Sequence, residues 1–427
     1  MTDLLSRLRA LQTNIRVGVI GTGNIGKGIV QQVGTTPGME CVLVADAHLE
    51  RAIASAALLK RSWETVDSLA RLHDVVRAGK TAVCADGLLA AGCELIDVMV
   101  DATSAVPEGA DFALAAIANG KHVVMMNSEA DLAFGPYLMA QARRAGVVYT
   151  SADGDQHTVL KRVINDIELW GFTTVMAGNM KGYLDRYAHP GMIVPEADKR
   201  SLDYKMCTSY TDGTKVCIEM ALTANAIGGR TAAVGMLGPR VKDIYDIFQH
   251  FDFEALWDGK TPLVDYVLGA YPPGGVFVIG YNDNPHQMET LRAYLPCRLG
   301  PGPFYLFHRP YHLGHIEVTP CIAEAYLDGW AVLQPTYGLL TDVYAYAKKD
   351  LRAGEVVDGI GGYAAYGLIE NCADNAACPG LPIALSEGLV LRRDIAKDEK
   401  IMLSDVVVPL DHRGFALYRE AQRALEG

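Results

Sequence analysis

The amino-acid sequence predicts an α/β protein: a doubly wound parallel sheet, then a second α+β catalytic or oligomerisation domain, then a β-rich C-terminal domain. Apolar runs and helical patterns alternate over roughly the first 150 residues, which indicates a parallel sheet covered by helices on both faces. The alternation then becomes irregular, and the last segment contains two similar β runs that are each followed by a charged turn.

The chain has 427 residues, which is too long for one hydrophobic core. We expect domains at 1–155, 156–334 and 335–412, and a C-terminal helix at 413–427. The net charge of −12 and the lack of basic runs argue against nucleic acid or anionic membrane surfaces as partners. No apolar stretch is long enough to span a bilayer and the N-terminus lacks a signal-peptide core, so we expect a cytoplasmic protein.

The nine cysteines are odd in number and widely spaced, which is typical of reduced thiols. Cys372 and Cys378 are the closest pair, but their separation does not match the usual zinc-ligand spacing. The sequence therefore argues against a metal–thiolate site.

A glycine-rich turn follows the first predicted strand. Ile15–Ile20 is an apolar run rich in β-branched residues, as expected of a buried parallel strand. It leads into Gly21, Gly23 and Gly26, which have the G-x-G-x-x-G spacing. In this motif the first glycine permits a tight turn, the second lets the backbone approach a pyrophosphate, and the third lets the next helix pack closely.

The helix after this turn is predicted from about Asn24 to Val33, and at its first residues, Asn24 and Ile25, free amides and the helix dipole favour a diphosphate. Asp46 closes a second apolar strand about twenty residues on, which completes the dinucleotide-binding (Rossmann) pattern. Asp46 could accept hydrogen bonds from the adenosine ribose and favour NAD, whereas Arg51 could serve the 2′-phosphate of NADP. We therefore predict NAD(P) as the cofactor; the alternative is an ordinary strand–turn–helix.

Polar residues also follow the later strands of the predicted sheet. Thr103, Ser104 and Asn127 could line a nicotinamide riboside, or they could cap the helices that follow. Glu129 and Asp155 lie after the same strand ends and are candidates for substrate binding.

Asp212 and Lys215 open a predicted buried helix in the second domain. A buried lysine can give a proton to a carbonyl oxygen or take one from an alcohol, and a carboxylate can orient it. If both residues are helical, their i, i+3 spacing places them on one face, which is equally consistent with an exposed ion pair. Lys181, just past a strand end, supplies a second cation for the same site.

Three histidines and one arginine occur within residues 308–315. Arg309 and His312 could hold a phosphate or a carboxylate of the substrate. His312 and His315 could also ligate a metal, although no third ligand is evident nearby. The alternative is a loop packed against the dinucleotide-binding domain.

Three segments carry a resemblance to a known family. They are NGKHVVMMNSEAD at 119–131, DGTK at 212–215, and a tail with AKKDLRAGEVVDGIGGY and ALSEGLVLRRDIAKDEKI. Together they resemble the homoserine-dehydrogenase-like oxidoreductases with a C-terminal SAF (antifreeze-like) domain, which include the deoxyxylulose-phosphate-reductoisomerase-like enzyme of isoprenoid biosynthesis. The phrases AKKDLRAGE and RRDIAKDEKI identify the SAF portion.

The resemblance implies an NAD(P)-dependent, homo-oligomeric oxidoreductase that acts on a small carbonyl or alcohol compound, such as a branched sugar or polyol phosphate. Lys215 with Asp212 is similar to the acid/base lysine and partner of homoserine dehydrogenases, where the spacing is one residue longer. Ser128 after Asn127 replaces a substrate-site lysine, which argues against homoserine itself.

A reductoisomerase would also need a divalent metal, which Glu129 and Asp155 could bind. The remaining alternatives are a hydroxy amino acid dehydrogenase and an NAD(P)-sensing or scaffolding protein without turnover.

Overall fold

The computed structural model describes residues 3–200, 202–294 and 298–424. Cys297 and the last three residues of the predicted C-terminal helix lie outside these ranges. The chain forms two compact units. The first unit comprises Met1–Asp155, Leu313–Gln334 and Leu417–Gly427, and the second comprises Gln156–His312 and Pro335–Ala416.

Strands and helices alternate through the first unit and part of the second. The strands are β1 (Ile15–Ile20), β2 (Met39–Ala45), β3 (Trp63–Thr65), β4 (Thr81–Cys84), β5 (Val98–Asp101), β6 (His122–Met125), β7 (Tyr149–Ser151), β8 (Thr173–Lys181), β9 (Leu263–Leu268), β10 (Val276–Tyr281), β11 (Phe304–Arg309), β12 (Thr341–Ala347), β13 (Ala365–Asn371), β14 (Val390–Leu391) and β15 (Val406–Val407). The helices are α1 (Leu4–Arg9), α2 (Asn24–Thr35), α3 (Leu49–Ala56), α4 (Leu69–Arg77), α5 (Gly87–Ala91), α6 (Val106–Ala118), α7 (Ser128–Ala145), α8 (Gln156–Leu169), α9 (Pro190–Arg200), α10 (Tyr204–Asp212), α11 (Thr214–Ile227), α12 (Phe253–Leu256), α13 (Pro285–Ala293), α14 (Thr319–Asp328) and α15 (Arg413–Arg423).

The first unit is built on a seven-stranded sheet with the order β3-β4-β2-β1-β5-β6-β7. Every neighbouring pair is parallel. The chain reverses its direction of growth between β1 and β5, and in open sheets of this kind ligands bind at the carboxyl ends beside that point. The predicted fold class, a doubly wound parallel sheet, is confirmed.

Two predicted elements of this unit differ from the structure. The pattern of residues 62–77 alone predicts one helix, but Trp63 to Thr65 pair with β4 as the short edge strand β3, and α4 follows. The pattern of residues 136–145 predicts a helix from Pro136, but α7 begins eight residues earlier, at Ser128, because Asn127 caps it and Pro136 lies inside it.

A buried carboxylate joins α7 to the last strand of this sheet. Asp131 accepts one hydrogen bond from the Tyr149 hydroxyl, at 2.7 Å, and another from the Ser151 hydroxyl. All three side chains are inaccessible to solvent. Burial raises the pKa of Asp131 to about 6, although the two hydroxyl donors oppose the shift.

The second unit contains a four-stranded mixed sheet with the order β11-β10-β8-β9. β8 is parallel to β9 and antiparallel to β10. Apolar side chains including Met176, Phe277 and Leu306 form its core. Helix α11 in the same unit is buried from Thr214 to Ala226, as its small and apolar residues predict.

Residues 335–412, predicted as a separate β-rich domain, lie within the second unit, and 313–334, assigned by sequence to the catalytic domain, lie within the first. The internal sequence repeat forms two charged turns, 350–355 and 394–399, that bind each other. The Asp350 carboxylate accepts a hydrogen bond from the Lys397 amide of the second turn, at 2.9 Å. The Asp394 carboxylate accepts one from the Ala353 amide of the first turn, also at 2.9 Å. The assignment of this segment as an SAF domain stays a prediction.

The eight cysteines that the structure describes are free thiols. Among the described helices, none combines the length and the hydropathy needed to cross a bilayer.

The raised pKa of Asp131 predicts a pH-dependent stability difference between the wild type and Asp131→Asn. The folded state binds this proton more tightly than the unfolded state, so the stability contribution is full below pH 3.8 and is lost as the pH rises through 6. From pH 4 to 7, Asp131→Asn should therefore gain about 2 kcal/mol of unfolding free energy relative to the wild type. Denaturant titrations at each pH measure it. The exposed control Asp67→Asn should show no such trend, and a flat difference for Asp131→Asn would contradict the prediction.

Candidate cofactor and substrate sites

The glycine-rich turn of the first unit has the geometry that its motif predicts. A β-carbon added to Gly21, whose φ is +88°, would lie 2.6 Å from the Thr103 amide nitrogen, and one added to Gly26 would lie 1.8 Å from the Gly21 carbonyl oxygen. A β-carbon added to Gly23 would have no described atom within 4 Å. Backbone packing therefore requires Gly21 and Gly26, whereas Gly23 faces open space at the start of α2, where a diphosphate can approach.

Asp46 is tied to this turn. One carboxylate oxygen accepts hydrogen bonds from the Thr22 amide at 2.7 Å and the Thr22 hydroxyl at 3.0 Å. The other accepts from the His48 amide at 2.8 Å. Carboxylate oxygens can each accept more than one bond, so a ribose hydroxyl can still be bound. Arg51 lies exposed in the first turn of α3, and both NAD and NADP remain compatible with this arrangement.

The strand ends of the sheet are aligned. Ile20 pairs with Asp101, Asp101 with Met125, and Met125 with Ser151. The residues that follow these strands therefore lie along one edge of the sheet, on the same side as the glycine-rich turn.

The structure shows which of the polar residues on this edge cap a helix, the alternative to lining the nicotinamide riboside. The side-chain oxygen of Asn127 accepts a hydrogen bond from the Ala130 amide at 3.1 Å, so Asn127 does cap α7. Its amide group also donates to the Ala105 carbonyl at 2.9 Å. Helix α6 has Ala105 as its N-cap, so Thr103 and Ser104 do not cap it. Contact of these residues with nicotinamide stays a prediction.

Asp101 is a buried residue of this edge that the predicted site omitted. One oxygen accepts a hydrogen bond from the Thr103 amide at 3.0 Å, and the other has no hydrogen-bond partner among the described residues. Burial raises the pKa of Asp101 to about 6, opposed chiefly by the hydrogen bond from the Thr103 amide. Asp101 therefore orients Thr103 beside the glycine-rich turn.

The second unit holds a buried polar cluster at the end of β8. Lys181 donates to the Gln156 side-chain oxygen at 2.8 Å and lies 3.4 Å from Glu219. The Asn179 amide group donates to Gln156 at 3.0 Å and to Glu219 at 2.8 Å. Glu219 lies four residues after Lys215 on α11, a spacing that places the two on one helix face.

Gln156, Asn179 and Glu219 were missed by the sequence analysis. The signals for them were modest: Asn179 and Lys181 alternate on one face of a strand, and Lys215 and Glu219 have helical i, i+4 spacing.

The predicted Asp212–Lys215 arrangement on a single helix is wrong. Asp212 is the last residue of α10, and Gly213, with φ +88°, separates it from α11. The Asp212 carboxylate instead pairs with the Lys348 ammonium at 2.8 Å. Lys215 is only 6% exposed, so the alternative of a solvent-exposed ion pair is also wrong.

The histidine-rich run does not form one cluster. The His308 ring nitrogen lies 3.1 Å from the Tyr245 hydroxyl, and the His312 Nδ1–H donates to the Gly274 carbonyl at 2.7 Å. The Arg309 guanidinium lies over a tyrosine ring, 4.6 Å from its centre. The third histidine of the run belongs to the first unit, where its ring packs against α2. Substrate binding by Arg309 and His312 stays a prediction.

A divalent metal site does not emerge from the described part of the chain, which contains no group of three histidine, cysteine or acidic side chains suited to hold one. Glu129 is buried and accepts a hydrogen bond from the Ser128 hydroxyl at 3.1 Å, and Asp155 is partly exposed.

Two family models match successive parts of the chain. Residues 21–151 match the model described as homoserine dehydrogenase, NAD binding domain. Residues 154–318 match the model described as oxidoreductase DRL, catalytic domain. The chain is an NAD(P)-dependent oxidoreductase. The predicted enzyme class and the NAD(P) cofactor are confirmed. Neither family model supports the alternative of a scaffold without turnover.

Solved structures show a weaker likeness to this oxidoreductase. A probable dehydrogenase from Thermotoga maritima is 12% identical, with 63% of this chain and 73% of that chain covered, at a TM-score of 0.36. An NAD binding oxidoreductase from Klebsiella pneumoniae is 19% identical, with 42% and 45% covered, at 0.29.

The 1-deoxy-D-xylulose 5-phosphate reductoisomerase from Zymomonas mobilis, in complex with NADPH, is 17% identical, with 49% and 57% covered, at 0.34. The chain thus spans about half of the last two structures. No curated protein shows significant similarity to the chain. The two family models therefore carry the assignment.

The geometry of the glycine-rich turn predicts different effects for two alanine substitutions: one on cofactor binding and the other on stability. Gly23→Ala should fold normally, because its methyl group meets open space, but should weaken NAD(P) binding by about tenfold or more by obstructing the diphosphate. Gly26→Ala should lower the melting temperature, because its methyl group collides with the Gly21 carbonyl. Cofactor titration and thermal unfolding of both variants measure this. Unchanged cofactor affinity in Gly23→Ala would contradict the placement of the diphosphate.

Proposed function

We propose that this oxidoreductase transfers hydride between the nicotinamide ring and a small polar carbonyl or alcohol compound, such as a branched sugar or polyol phosphate. The proposal rests on one observation. The second unit brings the partly buried Lys181 together with the buried Gln156, Asn179 and Glu219, and Glu219 shares a helix face with Lys215. Buried charges at this density are costly, and enzymes retain them where chemistry requires them.

Lys215 is the proposed proton-transfer group. It is the second residue of α11, and its burial separates it from bulk water. A lysine in such surroundings can give a proton to the oxygen of a carbonyl that receives hydride, or accept one from an alcohol that loses hydride. Asp212 was predicted as the partner of Lys215. In this proposal its carboxylate instead accepts a hydrogen bond from the Thr214 amide at the start of α11.

Lys181 and Glu219 form the electrostatic part of the proposed site. The Lys181 ammonium can stabilise negative charge on the substrate oxygen, and Glu219 balances that cation while no substrate is bound. The side-chain oxygen of Asn179 is buried and has no hydrogen-bond partner in the described ranges. It is suited to accept a hydrogen bond from a substrate hydroxyl, which favours a polyhydroxy compound over an apolar one.

The first unit binds NAD(P), and the bound nicotinamide supplies or accepts the hydride. In the proposal Thr103, Ser104 and Asn127 bind the nicotinamide riboside, and Asp101 holds Thr103 in place. Asp46 binds the adenosine ribose, or Arg51 binds a 2′-phosphate.

Beyond the polar cluster at the end of β8, the proposed substrate contacts are Glu129, Asp155, Arg309 and His312. A reductoisomerase-like reaction is one specific form of the proposal and would add a divalent metal. Oxidation of a hydroxy amino acid is the second form, which the homoserine dehydrogenase model of the NAD-binding part favours. The homo-oligomeric state and the cytoplasmic location expected from the sequence stay predictions.

A substrate panel tests the proposal. The purified protein is mixed with NADH or NADPH and with deoxyxylulose phosphate, erythrulose phosphate or aspartate semialdehyde, and absorbance of the reduced nicotinamide is followed. We expect oxidation of the cofactor with one of the two sugar phosphates. Turnover of aspartate semialdehyde alone would replace the sugar-phosphate proposal with the amino acid form.

Substitution of Lys215 tests the chemical step. Lys215→Ala should lower kcat by about a hundredfold or more while the dissociation constant for NAD(P) stays unchanged, because the lysine moves a proton and does not bind the cofactor. The exposed Lys260→Ala is the matched control and should retain full activity. Full turnover by Lys215→Ala would show that another group transfers the proton.

A further inference from the structure

We infer that Lys348 is a positioning residue for Lys215, and that the C-terminal segment thereby holds the beginning of α11 in its catalytic geometry. The inference rests on the proposed function, because it takes Lys215 as the group that transfers the proton. It assigns a role to a lysine that lies 133 positions after Lys215 in the sequence.

The Lys348 ammonium has three close, buried partners. Its ammonium pairs with Asp212 at 2.8 Å and donates to the carbonyls of Ala188 at 2.6 Å and Gly362 at 2.8 Å. The two carbonyls hold the ammonium by hydrogen bonds, and the carboxylate balances its charge. The side chains of Lys348 and Asp212 are 3% and 0% exposed. Such a pair is fixed in one geometry, unlike an exposed ion pair.

Asp212 in turn holds the backbone just before Lys215 by a hydrogen bond. The Thr214 amide donates to the Asp212 carboxylate at 2.8 Å, across the left-handed Gly213 that separates α10 from α11. The Thr214 hydroxyl in turn accepts a hydrogen bond from the Gly367 amide of β13 at 2.8 Å. Two contacts from the C-terminal segment therefore fix the residues that immediately precede Lys215.

The Asp212–Lys348 pair matters for the position of Lys215 because a break at Gly213 separates α10 from α11. Where a glycine with positive φ joins two helices, the path of the second helix depends on what holds the junction. Here a buried carboxylate does so, and its charge depends on Lys348: burial raises the pKa of Asp212, and Lys348 opposes that shift. Loss of Lys348 would release the first turn of α11, where Lys215 lies.

The test compares Lys348→Met, the double variant Asp212→Asn with Lys348→Met, and Lys349→Met. The double variant leaves no unpaired buried charge and should fold. Lys349, whose side chain is 58% exposed, is a matched control one residue away. Each protein is measured for kcat, for NAD(P) affinity, and for amide hydrogen exchange across α11.

We expect the double variant to bind NAD(P) normally but to lose about tenfold or more in kcat, because a misplaced catalytic group slows the chemical step. Amides of residues 215–217 should exchange about tenfold faster, while those of 222–226 stay unchanged. Lys348→Met should lose at least as much activity, and Lys349→Met should match the wild type.

Three results would overturn the inference. The first is a folded double variant with wild-type kcat. The second is uniform acceleration of exchange along all of α11. The third is a double variant that does not fold, since the pair would then support the whole unit and not the junction.

Failure of the proposed function is recognised separately. Full turnover by Lys215→Ala would refute the proton-transfer role, whereas the exchange pattern of α11 needs no turnover and reports on the junction in either case.

Discussion

The burial of α11 is the constraint on which the second unit depends. A helix enclosed from Thr214 to Ala226 can carry charged side chains only if each charge has a partner, because desolvation of an isolated charge costs several kcal/mol or more. Glu219 meets this requirement with Lys181 and Asn179, and the junction before the helix meets it with Lys348. The polar cluster of the candidate site is thus also the set of contacts that allows the helix to be buried.

The first unit handles its buried carboxylates differently. Asp101 and Asp131 lie among hydroxyl and amide donors and have no cationic partner among their described hydrogen bonds, so burial raises the pKa of both to about 6. Asp131 fixes a helix on the sheet, whereas Asp101 orients a residue beside the glycine-rich turn. The same physical effect therefore serves packing at one position and arrangement of a binding site at the other.

The sequence predicted what depends on local pattern. Hydrophobic alternation was sufficient for the parallel sheet, and glycine spacing was sufficient for the turn at Gly21 to Gly26, because both signals lie within a few residues. The pairing of Asp212 with Lys215 failed because helical spacing assumes an unbroken helix, and the positive φ of Gly213 breaks it. Its true partner, Lys348, is 136 positions away, and no periodicity connects them. Gln156, Asn179 and Glu219 were missed because their contacts join α8, β8 and α11, which are well separated in the sequence.

The C-terminal segment has the rigidity that a positioning role requires. Lys348 immediately follows β12 and lies two residues before Asp350, where the first of the two paired charged turns begins. A carboxylate in each turn accepts a hydrogen bond from a backbone amide of the other. These contacts within the segment fix the position of Lys348 independently of its ion pair with Asp212. A flexible tail could supply a cation but could not hold a helix junction. The segment is therefore better understood as part of the scaffold of the catalytic helix than as an independent appendage.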